Sequence, residues 1–269
     1  MTGFDVWKGL AKVRTETAVK NVMSEQSISS PDLPVGKFFQ AAARRLTCGA
    51  LLVAGWPLLF TGCATSPYLS DLNTPSYAPS NVFRDEALLP SYIKRVAVLP
   101  LTTLTDEASM DFGRDSLWPV LLNELGRSRQ FELVTVPPEE LRLLTGRSGW
   151  SGEEKLPPDF FDSLKSKLGV DAILFCRLTQ YRAYEPLAVG WRLKLLDAEV
   201  PRILWAVDEV FDARVAEVAA AARRYSKAHP EVAPSLRDSQ SVLLSPRRFG
   251  QYTASAIVGT MPGRVAVTP

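Results

Sequence analysis

The side chains that could carry out a reaction are few and scattered in this sequence. The 269 residues include one histidine, His229, and three cysteines, Cys48, Cys63 and Cys176. Cys176 lies in an apolar segment, where a thiol behaves mainly as a small hydrophobic group. Neither a zinc site nor a Cys-His nucleophile pair therefore has its parts. We predict no metal, no cofactor and no catalytic residue, and we interpret His229, in a polar loop, as incidental.

Two further patterns point to ordinary surface structure. The carboxylates of Asp208, Glu209 and Asp212 are close in sequence. Strand alternation places Asp208 and Glu209 on opposite faces, which favours a solvated strand end over an acid and base pair. The glycine-rich loop 145–150 lacks the lysine and the strand-to-helix setting of a phosphate-binding loop. We therefore interpret this loop as a surface turn.

Cys63 differs from the other cysteines because of the segment that precedes it. Arg44 and Arg45 lead into an apolar run from Leu46 to Phe60, followed by small residues next to Cys63. A membrane-spanning helix needs about 20 apolar residues, so this run is too short to span comfortably. Its two glycines and its proline disfavour a core helix. A positive start, an apolar middle and small residues at the end are typical of a secretory signal.

The end of this segment, Leu59-Phe60-Thr61-Gly62-Cys63, resembles the lipobox of bacterial lipoproteins. In that motif a small residue precedes a cysteine that is diacylated and becomes the new N-terminus. The resemblance implies cleavage between Gly62 and Cys63 and a palmitate-type lipid on Cys63, although Phe60 stands where an aliphatic residue is commoner. Ala64, rather than Asp, follows the cysteine, and by analogy with lipoprotein sorting this favours the outer membrane. Residues 1–62 are thus predicted to be an N-terminal extension and signal peptide.

The predicted mature chain starts at Cys63 and is almost neutral. Residues 1–62 hold 7 Lys and Arg and 4 Asp and Glu, which leaves 24 basic and 25 acidic residues. No basic field remains to attract phosphate backbones, so we predict no nucleic-acid partner. Cys176 is then the one unmodified thiol, which excludes an intramolecular disulfide. Residues 63–92 are rich in proline and lack periodicity, which predicts a lipidated cysteine followed by a flexible linker.

Residues 93–269 are predicted to form one globular α/β domain. Their apolar periodicity indicates the order strand, helix, strand, two helices, three strands and two helices. Strands are predicted at 93–101, 131–136, 172–178, 191–196 and 203–211, and helices at 111–125, 138–144, 158–168, 212–227 and 245–260. The early alternation and the late hairpin predict a mixed sheet of about five strands with flanking helices.

The order of these elements resembles a known periplasmic domain. The segment Ile93–Pro100, the strand that begins at Phe131, the element Leu168–Leu174 and the hairpin after it are similar to the α/β domain of curli-secretion-type lipoproteins, penicillin-binding-protein activator lipoproteins and the TolB N-terminal domain. In that superfamily a GVD or GAD turn, here Gly169-Val170-Asp171, enters a strand that pairs with the next hairpin. The resemblance covers residues 93–212. It implies a domain that acts by binding, with no catalytic residues to carry over.

Two clusters are candidates for contact with a partner. Tyr181, Arg182 and Tyr184 combine aromatic and arginine side chains, a mixture that is enriched at interfaces. Arg247 and Arg248 stand in the first turn of a predicted helix, with Tyr252 further along it. The helix dipole disfavours cations there unless an acidic group pairs with them. Local ion pairs and edge packing are the alternative interpretation of both clusters.

These patterns predict a lipid-anchored cell-envelope protein of the outer membrane that faces the periplasm and binds an unidentified envelope protein, without an enzymatic activity. The alternative is a subunit of an oligomeric outer-membrane secretion pore of the curli-exporter type. Such a pore needs amphipathic hairpins of about 9 to 11 residues per strand, and only residues 191–211 have that form. The sequence leaves the oligomeric state open. An enzyme acting on the cell wall is a third alternative, without a recognisable catalytic constellation.

Overall fold

The computed structural model of the chain describes residues 74–229 and 239–264, and in them seven strands and five α-helices form an α/β fold. The strands are β1 (Val82–Arg84), β2 (Arg95–Val98), β3 (Thr102–Thr103), β4 (Glu132–Thr135), β5 (Ala172–Arg182), β6 (Ala188–Asp197) and β7 (Ile203–Asp212). The helices are α1 (Ala108–Ser128), α2 (Pro138–Thr145), α3 (Phe160–Leu168), α4 (Ala216–Ala228) and α5 (Pro246–Val258), with a 3₁₀ turn at Ser239–Leu243. The predicted mixed α/β sheet is confirmed, with two short strands more than expected.

The sheet has a parallel half and an antiparallel half that meet at β5. Its order is β1-β7-β6-β5-β2-β4, with β3 also paired to β5. Strand β2 runs parallel to β4 and β5, whereas β5, β6, β7 and β1 pair antiparallel. The strand predicted over 93–101 is shortened to β2, and the unpredicted β3 follows just beyond it. Pro100 lies between them, and a proline has no N–H with which to continue the ladder.

The Gly169-Val170-Asp171 turn connects α3 to the centre of the sheet. Gly169 adopts a left-handed conformation (φ 62°) directly after α3, which glycine tolerates best. The Asp171 carboxylate accepts hydrogen bonds from the backbone N–H groups of Lys94 and Arg95, both at 2.8 Å. The turn therefore ends a helix, and its aspartate fixes the start of β2 beside β5.

The two faces of the sheet bury two separate cores. Helices α1, α4 and α5 cover the first face, where Trp191 and Trp205 are fully buried. Both indole N–H groups are satisfied, since Trp191 donates to Thr253 at 2.9 Å and Trp205 donates to Thr260 at 3.2 Å. Helices α2 and α3 cover part of the second face, where the ring of Phe160 in α3 stacks on the ring of Phe175 in β5. Alternation along each strand distributes its side chains between the two cores.

Helix α1 is longer than the predicted helix at 111–125. It starts at Ala108 and contains Pro119. Helix α5 begins as predicted, with Ser245 as the N-cap, which accepts a hydrogen bond from the Arg248 N–H, and with Pro246 in the first turn. No helix among the described residues has the length and apolar character needed to cross a bilayer, and the apolar segment 46–60 lies outside them.

Residues 74–92, which the sequence assigns to the linker, pack on the domain instead. Strand β1 pairs with β7 through Phe83 opposite Ala206. Leu89 is 2% exposed and belongs to the core of the first face. Tyr77 meets Phe211 edge to face, with ring centroids 5.6 Å apart. The folded part of the chain thus starts well before residue 93.

Two adjacent leucines test this attachment. Leu89→Ala removes a buried side chain, and we expect it to lower the free energy of unfolding by about 2–4 kcal/mol. Leu88→Ala removes a side chain that is 45% exposed and should cost well under half as much. Urea unfolding of both variants measures the difference. Equal, small losses would mean that residues 74–92 do not belong to the folded unit.

Candidate functional site

The first predicted contact cluster lies at the turn between β5 and β6. Tyr184 is 84% exposed, and Arg182 donates to Asp212 at 3.0 Å and to the carbonyl of Pro186. Tyr181 is instead buried, 8% exposed, in the core of the first face. Of the two tyrosines, therefore, Tyr184 alone is available to a partner.

A β-bulge is the reason that Tyr181 points inward. The register of β5 against β6 shifts between Leu178 and Gln180, and this moves Tyr181 from the second face of the sheet to the first. Gly113 of α1 leaves room for the tyrosine, since a Cβ there would lie 2.5 Å from the ring. The local sequence around Tyr181 gives no sign of this shift.

The second predicted cluster lies at the start of α5, beside α1. Arg247 is exposed, and Arg248 donates to the hydroxyl of Ser241 at 2.8 Å. Both arginines line a groove of about 560 Å³ between α1 and α5. Tyr252, by contrast, is 4% exposed and packs edge to face against Phe211. The surface at this site is thus formed by the two arginines without the tyrosine.

A network of ion pairs occupies the second face of the sheet where the α2 and α3 core ends. Glu153 accepts hydrogen bonds from Arg177 at 2.8 Å and from Arg192 at 2.6 Å. Arg192 also donates to Asp208 at 2.8 Å. The mixture of polar and apolar residues in β6 and β7 predicts one wetter face, but Lys194 and Asp208 on this face are buried. Glu153 comes from a loop, and no pattern in the strands indicates it.

Lys194 belongs to the same face and is buried, with 6% exposed. Its ammonium group donates to the carbonyl of Gly152 at 2.5 Å and so fastens the loop 151–154 to the sheet. Burial lowers the pKa of Lys194 from its ordinary 10.5 to about 8, with repulsion from Arg192 adding to the effect and attraction to Glu153 opposing it. The charged groups of this face are thus hydrogen-bonded to one another and to the loop 151–154, and we interpret them as a structural cluster.

A groove of about 740 Å³ lies beyond the C-terminal ends of β2 and β4. From these neighbouring strands the chain continues to α1 on one face and to α2 on the other. Such a switch point is a frequent place for ligands in α/β sheets. Trp118, three prolines and several Thr and Ser residues line the groove, and its charged pair, Arg114 and Asp115, is joined at 3.0 Å. These groups suit binding better than a reaction.

The residues considered for chemistry are used in packing or in local contacts. Cys176 is 1% exposed, and burial raises the pKa of its thiol, which disfavours the reactive thiolate. The ring of His229 stacks on Tyr225, with centroids 4.2 Å apart. Asp208 pairs with β6, whereas Glu209 accepts hydrogen bonds from the chain entering β1. Within the described ranges, no group of three or more His, Cys, Asp or Glu could hold a metal ion.

The fold and these surfaces define an α/β domain with helices on both faces of a mixed sheet. No known family model matches this sequence, and no curated protein sequence does. Solved structures with a similar arrangement include a PelC dodecamer from Paraburkholderia phytofirmans, at 15% identity over 62% of this chain and 94% of that one, with a TM-score of 0.34.

Two further structures belong to the same set. Lipoprotein GNA1162 from Neisseria meningitidis matches at 16% identity over 53% of this chain and 98% of its own, with a TM-score of 0.34. TolB from Acinetobacter baumannii matches at 13% identity over 57% of this chain and 31% of its own, with a TM-score of 0.27. The set thus includes a lipoprotein and TolB, two of the kinds of protein that the sequence resembles.

The buried lysine generates a prediction about pH. The pKa of Lys194 is about 8 in the folded state and 10.5 as an ordinary value, so between these pH values the unfolded chain binds more protons. The free energy of unfolding should therefore rise as the pH increases from 8 towards 10. Lys194→Met should remove this part of the slope, and Lys167→Met, at an exposed position, should keep it. Urea unfolding at several pH values measures both, and identical slopes in all three proteins would contradict the prediction.

Proposed function

We propose that this chain is a lipid-anchored protein of the bacterial cell envelope and that its domain, on the periplasmic side, binds another envelope component without catalysing a reaction. One observation carries the proposal: the lipobox-like sequence ends at Cys63, eleven positions before Thr74, the first described residue. A cysteine modified at that place would hold the folded domain to a bilayer by its own N-terminus. The outer membrane is the proposed location, on the basis of Ala64.

The surfaces of the domain support a binding role. Tyr184 projects from the β5–β6 turn with most of its ring in solvent, and aromatic side chains in such positions are common anchors at interfaces. Arg247, at the start of α5, is a second exposed candidate. Cys176 and His229 are the side chains best suited to a reaction. The thiol of Cys176 is buried and the ring of His229 stacks on Tyr225, so both are used in packing.

The secretion-pore alternative has less support in the described residues. Strands β6 and β7 have ten residues each, which is the length that a barrel hairpin needs. Both strands, however, have hydrogen-bonded neighbours on each side within the domain's own sheet. Trp191 and Trp205 are buried between this hairpin and α5. A hairpin used in this way is not free to line a barrel.

Two cysteines near the N-terminus test the lipid anchor. Cells that express the full chain should incorporate labelled palmitate into the protein, and Cys63→Ala should abolish the label, because Cys63 is the proposed acylation site. Cys48→Ala is the matched control and should keep the label, since it lies within the proposed signal. Gel fluorography of the purified proteins measures both, and a label that persists in Cys63→Ala would contradict the anchor.

Two exposed hydrophobic side chains test the contact surface. A photo-crosslinking residue in place of Tyr184 should capture an envelope protein in living cells, because this ring is offered to solvent beside Arg182. The same residue in place of Leu143, which is 82% exposed on α2, serves as the control and should capture less. Adducts are identified by mass spectrometry. Capture at neither position, or equal capture at both, would remove the β5–β6 turn as a specific surface.

A further inference from the structure

One end of the domain exposes apolar side chains that lie close together. The start of α1, the β5–β6 turn and the start of α4 form this end. Four of the large hydrophobic side chains that are exposed among the described residues belong to it: Leu104, Phe112, Tyr184 and Val215. Single exposed apolar residues are normal on a protein surface, whereas a group of them marks a place of contact.

The end of β5 holds three of these residues next to one another. The backbone N–H of Leu104 donates to the carbonyl of Leu178 in β5 at 3.0 Å. Phe112 of α1 packs on Tyr181 of β5, with ring centroids 6.3 Å apart. Tyr184 follows Tyr181 by three residues, which span at most about 11 Å of chain. Leu104, Phe112 and Tyr184 therefore surround the end of one strand.

The start of α4 joins this end beside the β5–β6 turn. The N–H of Ala213 donates to the carbonyl of Leu187 at 2.9 Å, and the Asp212 carboxylate accepts a hydrogen bond from Arg182 at 3.0 Å. Val215 follows two residues after Ala213 and is exposed. The four apolar side chains thus form one patch, which we call the end patch.

The groove of about 740 Å³ beyond β2 and β4 continues the end patch. Thr103 in the groove directly precedes Leu104, and Arg114, which also lines it, follows Phe112 by two positions. Trp118 lies further along the groove. Its indole N–H has no hydrogen-bond partner among the described residues, whereas the other described tryptophans donate to threonines. The patch and the groove together form an elongated surface that suits a segment of chain.

This end of the domain is also acidic. Residues 104–115, 182–187 and 212–217 hold seven Asp and Glu against three arginines, a net charge of −4, although the predicted mature chain is almost neutral. Each of the three arginines is already hydrogen-bonded to an aspartate of this end, Arg114 to Asp111 and Asp115, and Arg182 and Arg214 to Asp212. Three exposed carboxylates have no such partner among the described residues, those of Asp106, Glu107 and Glu185.

Helix dipoles account for only part of this charge. Glu107 and Glu217 stand at the starts of α1 and α4, where a helix dipole favours acidic groups. Glu185 lies in the β5–β6 turn, and no helix begins there. Acidic groups around an apolar patch repel an acidic surface and attract a basic one.

We propose that the end patch and its groove bind a segment of another envelope protein in which Lys or Arg stands beside apolar side chains. This inference rests on the proposed binding function and adds the chemistry of the partner. The apolar side chains of the segment cover Phe112 and Tyr184, while its cations face Asp106 and Glu185. Residues 64–73 of this chain do not have this chemistry, because they include Asp71 and no Lys or Arg.

Photo-crosslinking at Phe112 tests the chemistry of the partner. Benzoylphenylalanine replaces Phe112 in the full chain in living cells, and mass spectrometry identifies the captured segment. We expect a segment of an envelope protein with more Lys and Arg than Asp and Glu. Capture of an acidic segment, or of a second copy of this chain, would overturn the proposal.

Charge reversal tests whether the acidic groups attract the partner. Asp106→Lys with Glu185→Lys should lower the yield of the adduct at Phe112 several-fold, because like charges then meet. The matched control is Glu86→Lys with Glu199→Lys, which makes the same charge change beside the β6–β7 turn, at the opposite end, and should keep the yield. All four positions are exposed, so the urea midpoints should stay close to that of the parent. Equal yields in the two double variants would overturn the role of charge.

A comparison of two crosslinking positions distinguishes failure of this inference from failure of the proposed function. No adduct at either Phe112 or Tyr184 would contradict the binding role of this surface and the inference with it. An adduct at Tyr184 without one at Phe112 would overturn the inference alone, since the partner would then contact the turn without covering the end patch.

Discussion

Strand β5 is the element on which the rest of the structure depends. It pairs parallel with β2 along its first residues and antiparallel with β6 over almost its whole length, so both halves of the sheet meet on it. Leu174 faces one core, while Ile173 and Phe175 face the other. A slip of one residue would exchange the two sets of side chains and turn Arg177 towards the first core. The register of β5 therefore fixes the positions of β6, β7 and everything that packs on them.

The packing of residues 74–92 follows from this register through β7. Because β7 is held by β6 on one side, its other edge is free to pair with β1, and β1 brings residues 74–92 onto the domain. Arg224 and Phe211 hold the start of this segment.

The sequence predicts the fold further than it predicts the surfaces. The longer strands and the helices follow from local apolar periodicity, and Asp171 of the GVD turn has the entry role that the resemblance implies. Strand β1, Val82–Arg84, escapes prediction because three residues carry no periodicity and are held by a partner more than 120 positions away. The prediction that Tyr181 contacts a partner is wrong because a β-bulge turns its side chain inward, into space that Gly113 leaves open. Glu153 joins its cluster from a loop, through contacts that no strand pattern encodes.

The central claim is that the mature protein begins with a lipid-modified Cys63 and that the domain follows it closely. Mass spectrometry of the N-terminal peptide, on protein extracted from the cell envelope, tests this most directly. The expected first residue is Cys63, with a mass increased by its acyl chains. Peptides that include residues before position 63, joined to an unmodified Cys63, would contradict the anchor and remove the basis for placing the domain at a membrane.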